Sequence, residues 1–310
     1  MIGGGFALQS EAQSGTISLL SASDYLALLK PRVMSLVVFT GFAGLVVAPG
    51  KLHPLTATLA VLCIAAAAGG AGAINMWYDR DIDALMERTR NRPIPAGRIS
   101  PENALVFGLA ISVASIIVMG VAVNAVAAAL LAFANFFYVF IYTIWLKRRT
   151  PQNIVIGGAA GAMPPLIGWA AVTGEVGVES FALFLLMFIW TPPHFWALAL
   201  YRRDDYANAG VPMLPVVAGK AETRRQIYIY SMLLVAISLA PVVLGFAGAG
   251  YGLAAAVMGG KFLHLAFRVK QGRCDQAARR MFYFSILYLF VLFLALIVEH
   301  LSAMAFAHLA

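Results

Sequence analysis

Charge is what this sequence lacks most: 12% of its 310 residues are Asp, Glu, Lys or Arg, while 61% are hydrophobic. Soluble domains carry roughly 25% charged residues, and here apolar runs of about 20 residues recur along most of the chain. A soluble globular protein is thereby excluded. The runs are long and unbroken rather than short and alternating, which excludes an outer-membrane barrel. Cysteine is nearly absent. Cys63 lies within an apolar run and Cys274 in a basic loop, with no CxxC, so neither a disulfide framework nor a zinc site is indicated. The opening MIGGGFALQSEAQSGTISLL has neither the basic start of a secretory signal nor the Arg-rich amphipathic pattern of a transit peptide. There is no GxGD of the kind an intramembrane aspartyl protease would need.

What is present is an all-α polytopic membrane protein. Nine spans fit the hydropathy, at 34–47, 55–77, 103–124, 125–146, 153–172, 180–200, 226–248, 251–267 and 281–301. The first reaches back toward Tyr25, with Lys30 and Arg32 as snorkelling anchors. A tight link near Asn124 separates the third from the fourth. One transmembrane domain is expected over residues 25–303, after a flexible N-terminal segment (1–24) and before a C-terminal tail (304–310).

The net charge of +8 would suit a nucleic-acid partner only if it formed a patch. Instead Lys and Arg crowd the short loops that open onto one face: Lys30 and Arg32, then 80–98, 147–149, 202–225 and 268–280. Lys51 alone falls on the opposite face, and Lys261 lies inside the eighth span. By the positive-inside rule the N-terminus is cytoplasmic and the C-terminus lies on the far side. No nucleic acid is expected.

The acids gather on that same basic face, in two clusters. The first is in NMWYDRDIDALMERTRNRPIPAG (75–97). Asn75, Asp79 and Asp83 are spaced i, i+4, i+8, so on a helix they line one side, and Asp81 points away as a partner for a loop arginine. Hard oxygen ligands at this spacing suit Mg2+, which takes one or two carboxylates together with phosphate oxygens. Arg88 and Arg92 could reach phosphate bidentately. The alternative is a solvated loop in which the acids only neutralise neighbouring arginines. The second cluster, in WTPPHFWALALYRRDDYANAGVPMLP (190–215), holds Asp204, Asp205 and Asn208. Two such clusters, four spans apart, are what two four-span halves meeting around a central cavity would show.

N-x-x-x-D-x-x-x-D after the second span, with a second acidic motif after the sixth, resembles the intramembrane aromatic prenyltransferases of the UbiA superfamily. Together with YTIWLKRRTPQNIVIGGAAGAMPPLIGW and LLKPRVMSLVVFTGFAGL, the two long stretches are similar to its haem-farnesylating members over roughly residues 25–300. One departure is that position 208 is Asn where the superfamily's second motif often carries Asp, which leaves open whether Asp204 or Asp205 approaches the metal.

The resemblance implies nine helices around a cavity open toward lipid. It also implies transfer of the farnesyl group of farnesyl diphosphate to a vinyl group of haem B with addition of water, giving haem O and diphosphate. Mg2+ would be held by Asn75, Asp79 and Asp83 on one side and Asp205 on the other, with Asp204 as the remaining catalytic candidate. Arg88, Arg92, Lys147, Arg202 and Asn208 would bind diphosphate. Trp77, Tyr78, Tyr138, Tyr142, Trp190 and Trp196 are candidates for the cavity lining or, equally, for interfacial packing. Haem A synthase or terminal oxidase assembly factors are the implied protein partners, membrane lipid the surroundings, and a bacterial inner membrane the location, with the active site facing the cytoplasm.

Three further features bear on the acceptor. His194 follows Pro192-Pro193 inside a span, where a break would mark a cavity wall. It is a candidate haem contact with Tyr142 and Trp190, or else a neutral histidine bonded between helices. Gly157 and Gly161 permit either close helix packing or the approach of a porphyrin face. Thr150, Gln152 and Asn153 could bind diphosphate or a propionate. A quinone-precursor prenyltransferase shares the diphosphate site and differs in acceptor. A secondary transporter would explain broken spans but not two acidic clusters on one face.

Overall fold

The computed structural model describes residues 22–272 and 275–309. Most of the expected N-terminal segment, together with Arg273 and Cys274, lies outside them. The described chain is helical, in the order α1 (Ala22–Leu28), α2 (Pro31–Val47), α3 (Pro54–Tyr78), α4 (Arg80–Leu85), α5 (Pro101–Ala122) and α6 (Ala125–Phe136). A π-helical segment, Phe137–Leu146, prolongs α6, and α7 (Asn153–Thr173), α8 (Val178–Tyr201), α9 (Arg203–Asn208) and α10 (Leu214–Val217) follow. The last four are α11 (Gly219–Ile237), α12 (Ala240–Val243), α13 (Ala249–Lys270) and α14 (Asp275–Leu309), so residues 304–309 continue the final helix.

Eight of these segments are long and apolar enough to cross a membrane, and the α1–α2 pair, bent by 57° at its break, makes nine. The expected count therefore holds, and the extension of the first span toward Tyr25 takes the form of a separate short helix. Local chemistry explains the span edges. Proline stands in the first turn of α2, α3 and α5, where its missing N–H is harmless. The Ser100 hydroxyl accepts from the Asn103 N–H at 3.2 Å, and Asn124 Oδ1 accepts from the Ala127 N–H at 2.8 Å. The Asn124 amide also donates to the carbonyls of Ala170 and Ala171 at 2.9 and 3.1 Å, pinning the tight α5–α6 link to the end of α7.

Two apolar cores share α7. One gathers α2, α7, α8, α11, α13 and α14 around Trp169, Leu186, Trp190, Phe262 and Tyr288. The other joins α3, α5, α6 and α7 around Ile64, Met119, Leu131 and Ile167. Lipid-like surroundings give helices no hydrophobic reason to associate, so small residues must bring backbones together. A Cβ on Gly168 of α7 would clash with the Gly41 carbonyl of α2, and one on Gly44 with the Pro165 carbonyl. Between α3 and α5, a Cβ on Gly70 or Gly108 would stand 2.8–2.9 Å from the other's carbonyl oxygen.

Successive spans alternate in direction. The segments after α3, after Leu146 and after α8 therefore share one end of the bundle with the start of α2 and the junction of α13 and α14. One correction concerns α8: Pro192 and Pro193 lie inside an uninterrupted helix rather than at a break.

Gly168→Val should therefore lower stability by about 3 kcal/mol or more, as overpacking against backbone does. Gly161→Ala on the same helix meets nothing within 4 Å and should be neutral or stabilising by up to about 1 kcal/mol. Thermal denaturation in detergent compares the two.

Candidate active site

At the basic end of the bundle the three residues of the first motif are almost wholly buried: Asn75 is 3% exposed, Asp79 0% and Asp83 2%. The helix does not run through them. α3 ends at Tyr78, Asp79 is the cap, and α4 restarts at Arg80. The i, i+4 ladder survives this junction, because the Asp79 N–H donates to the Asn75 carbonyl at 3.0 Å and the Asp83 N–H to the Asp79 carbonyl at 2.8 Å. The spacing thus keeps its meaning although the helix is interrupted.

Most polar atoms of the row are answered, chiefly from other segments. The Lys30 ammonium donates to Asn75 Oδ1 at 2.6 Å. The Asn75 amide donates to Asp79 Oδ2 at 2.7 Å and to the Thr143 hydroxyl at 3.1 Å. Lys147 forms an ion pair with Asp79 Oδ2, and the Arg148 guanidinium lies 3.6 Å from Asp79 Oδ1. Arg92 pairs with Asp83 at 2.6 Å. Leaving such carboxylates without counter-charges would cost several kcal/mol. Asp81 behaves as its position suggests. Exposed, it accepts two hydrogen bonds from Arg148 at 2.6 and 2.7 Å, which hold its carboxyl below the usual range. Its contribution is therefore intact at neutral pH and is lost as pH falls through the carboxylate range.

The places of Lys30 and Thr143 in this site are not visible in the pattern of residues, whereas Lys147 was a candidate from the sequence. Lys30, expected to be only a membrane anchor, sits at the α1–α2 break with φ of +51°, a left-handed conformation unusual for a non-glycine residue. That bend turns its side chain along Gly72 toward Asn75. Thr143 and Lys147 reach the row from the π-helical segment, where the Thr143 hydroxyl donates to the Tyr138 carbonyl and the Lys147 N–H to the Tyr142 carbonyl. π-Helical turns are rare and are frequent at functional sites. Asn153, a candidate ligand, donates its amide to the Lys147 carbonyl at 3.3 Å and so braces this corner. Gly157 leaves room for the Tyr142 ring, which a Cβ there would strike.

The second cluster converges on the first through both packing and charge. Ile82 and Met86 pack with Tyr206, Ala209, Val211 and Met213, and Arg202 lies 3.4 Å from Glu87 and 3.6 Å from Asp205. The two adjacent acids part company. Asp205 is 17% exposed, with one buried carboxylate oxygen lacking a hydrogen bond, whereas Asp204 is 90% exposed beside Arg203. Asp204 is thus turned away, and Asn208 and Arg88 are also exposed.

The haem candidates on α8 are engaged elsewhere. Trp190 Nε1 donates to the Ser285 carbonyl at 2.8 Å. The Ser285 hydroxyl lies 2.6 Å from both the Phe282 carbonyl oxygen and His194 Nδ1. His194 is stacked between Trp190 and Phe282, at 4.2 and 4.6 Å. Both residues tie α8 to α14, the arrangement of a histidine bonded between helices that the sequence offered as one of two readings. Tyr142, next to the acidic row, is the one of the three that stays beside it.

Among the described residues no three His, Cys, Asp or Glu side chains stand close enough together to hold a metal. Asn75, Asp79 and Asp83 nevertheless offer only hard oxygens and an amide, and Asp79 Oδ1 is buried without a hydrogen-bond donor. One or two carboxylates completed by phosphate oxygens is the set that Mg2+ takes. The residues fit.

The UbiA prenyltransferase family matches residues 37–304. The chain belongs to this family. A protoheme IX farnesyltransferase of Parvibaculum lavamentivorans is 63% identical over 90% of the chain and 89% of its own length. One from Rhodopseudomonas palustris is 59% identical over 94% of each. The UbiA fold extends to remote structures. A digeranylgeranylglyceryl phosphate synthase superposes with TM-score 0.75 at 19% identity, covering 90% of this chain and 98% of its own. A UbiA homologue of Archaeoglobus fulgidus bound to GPP and Mg2+ superposes with TM-score 0.60 at 20% identity, over 88% and 99%.

Removing the cation from the Asp79 pair tests how the row is held. Lys147→Met should destabilise the protein by about 3–5 kcal/mol because it strands a buried carboxylate, and adding Asp79→Asn to it should restore most of that loss. Additive effects in a double-mutant cycle, read from thermal unfolding, would show that the pair is not coupled.

Proposed function

We propose that this chain transfers the farnesyl group of farnesyl diphosphate to a vinyl group of haem B and adds water, giving haem O and diphosphate. The observation that carries the reading is the buried Asn75–Asp79–Asp83 row ringed by Lys30, Arg92, Lys147 and Arg148, in a chain 63% identical to a protoheme IX farnesyltransferase. Relatives of that name favour neither a quinone-precursor acceptor nor transport.

Asn75, Asp79 and Asp83 would hold Mg2+ from the membrane side, with Asp205 the acid of the second cluster best turned to assist. When bound, the ion would neutralise charge on the departing diphosphate. Arg92, Lys147 and Arg148 can exchange carboxylate for phosphate oxygens, the arginines bidentately, and Lys30 can turn from the Asn75 amide oxygen to the same group. Arg202, between Glu87 and Asp205, is the cation of the second loop; Arg88 and Asn208 would have to turn inward to join it.

The bond from farnesyl C1 to oxygen breaks and its electron pair leaves with diphosphate. Vinyl π-electrons form the new carbon–carbon bond, and the carbocation left beside the porphyrin captures water and releases a proton. Tyr138 and Tyr142, with rings 5.4 Å apart beside the row, and Trp77 of the adjoining apolar cluster offer π-faces that favour a cation and exclude bulk water. The positive loops on this end agree with an active site at the cytoplasmic surface of a bacterial inner membrane.

Membranes containing the protein, given haem B, farnesyl diphosphate and Mg2+, should yield haem heavier by a farnesyl group plus water on mass spectrometry. EDTA should abolish the product, and Asp79→Ala should reduce its rate at least about 10²–10³-fold. Lys30→Met should weaken use of farnesyl diphosphate more than that of haem. Prenylation of a hydroxybenzoate, with haem unchanged, would overturn the acceptor.

A further inference from the structure

A second cationic site lies on the same end of the bundle, on helices that take no part in the acidic row. A cavity of about 370 Å³ opens between α13 and α14. Lys261, His264 and Arg268 face it from α13, spaced i, i+3 and i+7, and Gln276, Arg280 and Phe284 from α14, spaced i, i+4 and i+8. Leu265 and Ala277 add apolar wall. Each helix thus turns one basic-to-apolar stripe into a shared groove.

No acid is among the described residues that line that groove. Among the described residues no carboxylate forms an ion pair with Lys261, Arg268 or Arg280. The two acids on these helices are committed elsewhere: Asp275 pairs with Lys220 at 3.3 Å, and Glu299 accepts from the N–H groups of Gly248 and Tyr251 at the start of α13. The neighbouring cations are also occupied, with Lys270 4.6 Å from the Tyr228 ring and Arg279 5.9 Å from that of Tyr283. Lys261 is the odd one. It lies seven residues, or about 10 Å, up the helix from Arg268 and inside a membrane span, where an ammonium needs a counter-charge.

We infer that this groove binds an anionic phospholipid, with the headgroup phosphate between Arg268 and Arg280, Lys261 extended toward it from below, and the acyl chain along Leu265 and Phe284. Charge complementarity selects the ligand: a phosphate anchored to hydrocarbon meets both the cations and the apolar wall, and basic pockets between spans on the positive face are suited to such headgroups.

The test is native mass spectrometry of the full chain released from phosphatidylcholine nanodiscs, with and without phosphatidylglycerol, alongside thermal stability in each. The wild type should retain phosphatidylglycerol in preference to phosphatidylcholine and melt higher with it. The triple variant Lys261→Gln/Arg268→Gln/Arg280→Gln should bind it about 100-fold more weakly. Lys270→Gln/Arg279→Gln, outside the groove, should retain as much as the wild type. If the triple variant does not fold, Lys261→Met, which suits a span, should still weaken retention about fivefold. Equal retention by all variants, or no preference over phosphatidylcholine, would overturn the site. Full competition by millimolar inorganic phosphate would make it a free-anion site instead, and displacement by haem B would reassign it to propionates.

Discussion

A fully buried carboxylate at the end of a 25-residue apolar helix is the constraint around which the rest is arranged. Asp79 has no exposure and one oxygen without a hydrogen bond, so its charge is tenable only with cations brought from elsewhere. They come from distant parts of the chain: Lys147 and Arg148 from the end of the π-helical segment, with Lys30, from the break before α2, reaching it through Asn75. The bend of the first span, the π-helical turns and the close α2–α7 and α3–α5 crossings are the backbone adjustments that deliver those side chains to one point.

That arrangement also suits exchange. Under the proposed function, carboxylates and cations that neutralise one another would receive a divalent ion and a diphosphate, since each partner can swap the other for a new counter-ion without leaving an uncompensated charge. Helices without a hydrophobic drive to associate are held by small-residue contacts and a few buried hydrogen bonds. His194–Ser285 and Trp190–Ser285 supply such ties between α8 and α14, away from the row.

The spans and the first acidic row were legible because each rests on a short, local regularity: hydropathy over about 20 residues, and Asn75, Asp79 and Asp83 at a spacing of four. What could not be seen rests on backbone geometry. A lysine before Pro31 looks like a membrane anchor until a left-handed φ aims it inward, and nothing in FYVFIYTIWL announces a π-helix that brings Thr143 and Lys147 together. The one available signal was a lysine set one turn into an apolar segment directly before proline. Asp204 and Asp205 are adjacent, so they point about 100° apart, and only the seating of α9 on Ile82 and Met86 decides which turns in. The proline pair before His194 suggested a broken helix, whereas here the helix continues through it.

The claim that the buried acids exist to hold a metal-bound diphosphate is tested most directly by calorimetric titration of the purified protein with a non-reactive thio-analogue of farnesyl diphosphate. Binding should require Mg2+ and should disappear in Asp79→Asn even when Mg2+ is present. Equal affinity with and without Mg2+, unchanged by that substitution, would mean that the carboxylates serve only to neutralise the cations beside them.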